Sequence, residues 1–208
     1  MLRKERLSAN FDPSTPDVAT SSVDSEDDCN HIFFKSDRMY RHHLLRINYT
    51  TYDVRRSQDV INPGTSRRDV MVLAVDDHEN GPDNNPFLYA RVLGIYHVNV
   101  IYTGSGMIDY RPRRVDFLWV RWFHHDQART IHHTWEKKKL ESVFFPPMAS
   151  DHAFGFLDPQ DVLRATYIVP ACASGRVHSD LVSLSQSACD SHDWKSYYVN
   201  LCVNCSLV

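Results

Sequence analysis

Phe87–Tyr102 reads FLYARVLGIYHVNVIY, and its pattern decides the fold class. β-branched and aromatic residues crowd the stretch, as pleated, half-buried surfaces favour. In its second half Tyr96, Val98, Val100 and Tyr102 alternate with His97, Asn99 and Ile101. That is a period of two, where a helix would need 3.6. Sixteen residues exceed one average strand, so Gly94 is expected to mark a bulge or bend. The turn Thr103-Gly104-Ser105-Gly106 leads towards Arg114–Phe123 (RVDFLWVRWF). Here Val115, Phe117, Trp119, Arg121 and Phe123 alternate with Asp116, Leu118, Val120 and Trp122. Large apolar groups on both faces predict a central strand.

Working outward, Val70–Val75 (VMVLAV) predicts a buried strand. His42–Tyr49 predicts another, and Thr51–Ile61 an extended stretch closed by the turn Asn62-Pro63-Gly64. Residues 76–86 are almost all turn formers. Residues 124–139, with His124-His125, His132-His133 and Lys137-Lys138-Lys139, predict a polar loop or short helix. Asp158-Pro159-Gln160-Asp161 has the Asp cap, first-position Pro and early acid of a helix start, so Val162–Arg164 is expected to complete a helical turn. Short extended pieces fall at Val143–Phe145 and Ala153–Phe156, a strand at Thr166–Ala171 and a last apolar stretch at Tyr197–Val203, with a helix expected near His178–Ser187. The predicted fold is mainly β: a small curled sheet or partly open barrel, SH3- or BAH-like, with short helices and long loops.

Residues 1–30 carry net charge −4, many Ser and few apolar side chains. They cannot offset their ordering entropy and are expected to be a disordered acidic tail. Residues 31–173 form the predicted β-rich domain and 174–208 a C-terminal extension. Residues 31–125 carry +3 and 126–208 carry −2, so no whole-chain field points to nucleic acid. No run approaches the roughly 18 apolar residues of a membrane helix, and Met1–Asn10 lacks an apolar core for secretion. The expected location is intracellular, nuclear if the protein is functional, without membrane attachment.

Chemistry-bearing patterns are sparse. Cys189-x-x-His192 and Cys202-x-x-Cys205 have the spacing of a Cys₃His zinc site. The intervening Tyr197-Tyr198-Val199 looks like core, so free thiols are the preferred reading and no cofactor is expected. There is no nucleophile elbow, phosphate loop or dinucleotide fingerprint. The acid pairs Asp76-Asp77 and Asp158/Asp161 have structural reasons to sit in a loop and a cap, so no enzymatic activity is expected. Basic pairs recur beside turns: Arg55-Arg56, Arg67-Arg68 and Arg111, Arg113, Arg114. Gathered on one face they would contact phosphates; scattered, they only solubilise. Tyr89, Tyr96, Tyr102, Trp119 and Trp122 are either core or an aromatic cage for a modified lysine.

Three stretches, Phe87–Tyr102, Arg114–Phe123 and Phe156–Ala171 (FLDPQDVLRATYIVPA), together resemble a domain of fungal Plavaka-type mobile elements related to CACTA transposons. The resemblance covers roughly residues 35–200 and extends to the uncharacterised β-rich region near the C-terminus of plant CACTA-type transposases. It implies a transposon-derived accessory domain with DNA, chromatin or other transposon proteins as partners. It carries over no catalytic residue. The family pattern continues beyond Tyr197-Tyr198-Val199-Asn200 with an Asp- and Arg-containing segment. This chain reads Leu201–Val208 instead, which implies truncation or a shifted reading frame in a decayed element. Two alternatives stay open: a reader of modified peptides, and a degenerate remnant without function.

Overall fold

The computed structural model describes residues 31–50, 54–74, 86–104, 108–126, 141–178, 180–188 and 190–200. The disordered tail predicted for residues 1–30 lies outside them. So do most of the turn-rich loop at 76–86, His132-His133, the triple Lys, and Cys189, Cys202 and Cys205 of the zinc pattern.

The fold is mainly β. Ten strands are described: β1 (Ile32–His42), β2 (Leu45–Thr50), β3 (Arg56–Ile61), β4 (Asp69–Leu73), β5 (Phe87–Tyr102), β6 (Arg113–His125), β7 (Glu141–Phe144), β8 (Phe154–Leu157), β9 (Val162–Pro170) and β10 (Tyr197–Asn200). The chain divides into two compact units. The smaller comprises residues 1–41 and 96–117, the larger 42–95 and 118–208. β5 is one continuous strand through Gly94, and the division falls just after it, between Ile95 and Tyr96.

In the smaller unit, Val98 and Val100 are buried against Ile32, Tyr102, Val115 and Phe117. β1 was not legible as a strand. Its residues are mostly exposed and show no alternation. Ser36 and Asp37 also take left-handed φ of 58° and 50°, a conformation that short polar side chains tolerate.

In the larger unit the sheet runs β5-β4-β9-β10-β7-β6-β8, and β5 also pairs with β6. The order thus turns back towards its first strand, as a curled sheet does. The period of two sorts side chains onto two cores. Val70 and Val72 of β4, Ala90 and Val92 of β5, and Leu118 and Val120 of β6 join one cluster with Ile61, Leu157 and Val162. Met71, Tyr89 and Phe123, the alternate residues, join the other with Val143, Tyr197 and Val199. The central placement predicted for the Arg114–Phe123 strand is borne out, since β6 pairs with β5, β7 and β8 and carries buried residues on both faces between Leu118 and Phe123.

Three expectations are corrected. His124 and His125 continue β6 and are not in a loop, because His125 pairs with Val143 and His124 with Phe144. Asp158 does cap a helical turn, accepting from the Gln160 N–H at 2.8 Å. That turn is a 3₁₀ turn of three residues, Pro159–Asp161, and Val162–Arg164 is strand. Pairing of β9 with both β4 and β10 outweighs the local helix signal. The described part of 178–187 holds no helix. A buried carboxylate organises it instead: Asp190 accepts from the Ser183 hydroxyl and from the Leu184 and Ser185 N–H groups. Burial would raise the Asp190 pKa, but these bonds hold it well below the usual carboxylate range. The stretch 174–208, expected as a C-terminal extension, contains β10. β10 lies between β9 and β7 within the sheet.

Candidate nucleic-acid interface

β2 and β3 form a separate two-stranded ribbon in the larger unit, with Leu45 opposite Ile61, Asn48 opposite Gln58 and Thr50 opposite Arg56. Its alternation separates two faces. Leu45 and Ile47 pack on the first core, whose buried members include Ile61. Asp59 pins the ribbon to β9, accepting from Arg164 Nε at 2.8 Å and from the Ala165 N–H at 3.0 Å. The Arg164 guanidinium lies over the Tyr49 ring, 3.5 Å from its centroid. The opposite face carries Arg46, Asn48, Thr50, Arg56 and Gln58, all exposed, and half-buried Val60. No acid stands on it among the described residues. Gln58 Nε2 donates to Asn48 Oδ1 at 2.8 Å. Asn48, Tyr49, Thr50, Arg56, Ser57 and Gln58 line an open depression of about 600 Å³.

The arginines predicted for phosphate contact divide between the two units. Arg55, Arg56, Arg67 and Arg68 belong to the larger one. Arg55 and Arg56 are exposed at one end of β3. Arg67 and Arg68 follow the turn at its other end, where Asn62 Oδ1 accepts from the Gly64 N–H at 2.9 Å. Their carbonyls accept from Asn62 and Val92 N–H groups, which closes that loop. Arg111, Arg113 and Arg114 belong to the smaller unit, where acids accompany them. Arg114 forks onto Asp116 at 2.6–3.1 Å, and Arg111 Nε lies 3.9 Å from Asp109. Arg46, Asn48 and Gln58 stand outside the adjacent basic pairs. The alternation in LRINYT and RSQDVI is the signal that exposes them.

Four other charged groups pair with one another in the interior. Beside the second core, Arg91 forks onto Asp69 at 2.8 and 3.3 Å and lies 3.7 Å from Asp193. Arg121 Nη1 donates to Asp193, which also accepts from Tyr197 Oη at 3.2 Å. Both Arg and both Asp are buried. The rings of Phe123, Phe145 and Tyr197 stand 4.9–5.5 Å from the Arg91 guanidinium, and Arg121 lies 4.0 Å from Phe145. These rings enclose the protein's own cations. Of the aromatics singled out for a cage, Tyr89 is buried core, Trp122 packs on the first core and Trp119 stacks on Phe154.

His125 bridges Glu141, 2.6 Å from Nδ1, and the Phe87 carbonyl, 3.1 Å from Nε2. A carbonyl only accepts, so Nε2 is protonated, and the carboxylate favours a proton on Nδ1 as well. The Glu141 hydrogen bond raises the His125 pKa, and burial opposes it less strongly. Its neighbour His124 is shifted down, chiefly by burial and then by His152 and His125. With both nitrogens engaged, His125 is no free base. It acts as a pH-dependent clasp. A folded-state pKa above the unfolded value near 6.5 gives stability that is complete below about pH 6.5. That stability is lost as pH rises through the folded value. In urea unfolding from pH 5 to 8, the advantage of the wild type over His125→Gln is expected to shrink with rising pH. A constant advantage would contradict the clasp.

Of the zinc pattern only His192 is described. It is exposed, with Nδ1 2.8 Å from Ser191 Oγ. No helix among the described residues is long and apolar enough to cross a membrane. Comparison with family models, curated proteins and solved structures finds no match in any of the three.

Proposed function

We propose that the chain is a non-catalytic accessory domain, of the transposon-derived kind it resembles, that contacts nucleic acid through the outward face of the β2–β3 ribbon. The observation that carries this reading is the composition of that face: two arginines, two amides and a hydroxyl on a ribbon fastened from behind by Asp59 and Arg164. Phosphates attract arginine, while amides and hydroxyls suit phosphate oxygens and base edges alike. Support for the non-catalytic part comes from the buried carboxylates. Asp69 and Asp193 face guanidinium groups, and Asp190 is saturated by N–H and O–H donors. A peptide-reader role has less support, because the Phe123, Phe145 and Tyr197 rings already surround Arg91.

The test is a fluorescence-anisotropy titration of the full chain with duplex DNA across a salt series. Each neutralised phosphate contributes about −0.9 to the slope of log affinity against log salt. With Arg46 and Arg56 engaged, the expected slope is about −2. Absence of binding by folded protein at low salt would refute the reading.

A further inference from the structure

We infer that the ribbon reads adenine in the major groove of duplex DNA through the Asn48–Gln58 amide pair, an inference that rests on the nucleic-acid reading above. Asn48 and Gln58 face each other across the ribbon, and one amide hydrogen bond joins them at 2.8 Å. That bond uses one carbonyl and one N–H. It leaves Gln58 Oε1 as an acceptor beside the remaining Asn48 Nδ2 donors. Turning both amides over exchanges the two roles and again leaves one acceptor beside one donor. The outward pattern therefore does not depend on which way the amides are set.

The four bases answer that pattern differently. In the major groove adenine presents a donor, N6–H, beside an acceptor, N7. Guanine presents two acceptors, N7 and O6, and would set an oxygen against the amide acceptor. Cytosine offers a donor alone and thymine an acceptor beside a methyl group. Only adenine satisfies both halves of the pair on one base.

The placement of the arginines fits the same groove. On antiparallel strands Arg46 lies two residues to one side of the amide pair and Arg56 two residues to the other. Four residues of rise amount to about 13 Å, close to the roughly 12 Å width of the major groove, which admits a two-stranded ribbon. With the amides towards the groove floor, the two guanidinium groups reach towards opposite phosphate walls. Thr50, exposed opposite Arg56, adds a hydroxyl on the same face.

The experiment titrates the full chain against a pool of duplexes of equal length with A·T and G·C pairs placed centrally. The best A·T duplex is then remade with 7-deazaadenine, which removes the N7 acceptor and leaves Watson–Crick pairing intact. The expected preference for A·T is about ten- to hundredfold. It should collapse with 7-deazaadenine and equally in Asn48→Ala/Gln58→Ala, while residual salt-dependent binding persists. Both positions are exposed, and the 7-deazaadenine arm needs no variant, so misfolding cannot mimic the result. Duplex binding without base preference would overturn the adenine reading and leave the ribbon–phosphate contact standing. A preference that survives in the double variant would also overturn it, by placing recognition elsewhere. No duplex binding would remove both.

Discussion

Asp193→Ala is expected to destabilise the protein by about 3–5 kcal/mol, the range for removing one partner of a buried ion pair. Asp193 is 3% exposed and accepts from Arg121 and Tyr197, with Arg91 3.7 Å away. Guanidinium groups do not deprotonate inside proteins, so loss of the carboxylate strands positive charge in the interior. Arg121 has little reserve, because its buried Nε already lacks a hydrogen-bond partner. Burial, and secondarily the Asp193 charge, raises the Tyr197 pKa, so the tyrosine stays neutral and cannot substitute for the lost anion. Against a typical total of about 5–15 kcal/mol, the loss is a large fraction. Urea unfolding should show a lower midpoint with little change in slope, and Asp193→Asn should fall between variant and wild type. A loss under about 1 kcal/mol would mean that the charges are solvated.

The second large effect concerns binding. Arg46→Ala/Arg56→Ala is expected to weaken duplex binding about a hundredfold, from two lost charge-assisted hydrogen bonds. It should also reduce the salt slope by about two. Arg114→Ala is the informative control. Arg114 is a sequence candidate too, but its fork is already occupied by Asp116. Its removal is expected to change affinity by less than about twofold, as for a neutral surface substitution. Anisotropy titrations of the three proteins at matched salt check the ranking. A larger loss in Arg114→Ala than in the double variant would move the interface to the smaller unit.

Much of the sheet was legible because burial imposes a period of two. β5 and β6 carry that pattern plainly, β4 is legible as a continuous apolar run, and the Asn62-Pro63-Gly64 turn follows from its own side-chain chemistry. What escaped depends on partners distant in sequence. β1 lacks alternation because most of its residues are exposed. The Asp158 cap was read correctly, but only tertiary pairing ends the helical turn after three residues. The buried charges illustrate the limit. Arg121 stands within the apolar run Leu118–Phe123, which hints at an interior role, yet its partner Asp193 is 72 positions away. The ribbon face was half legible: Arg56 was identified, while Arg46, Asn48 and Gln58 become a group only once strand register is known.

The most direct test of the account maps the contact on the protein. The isotope-labelled chain titrated with duplex DNA in low salt should show its largest amide NMR shifts within 45–50 and 56–61, led by Arg46, Asn48, Thr50, Arg56 and Gln58. Shifts concentrated instead at Arg111, Arg113 and Arg114, or none at saturating DNA, would contradict it.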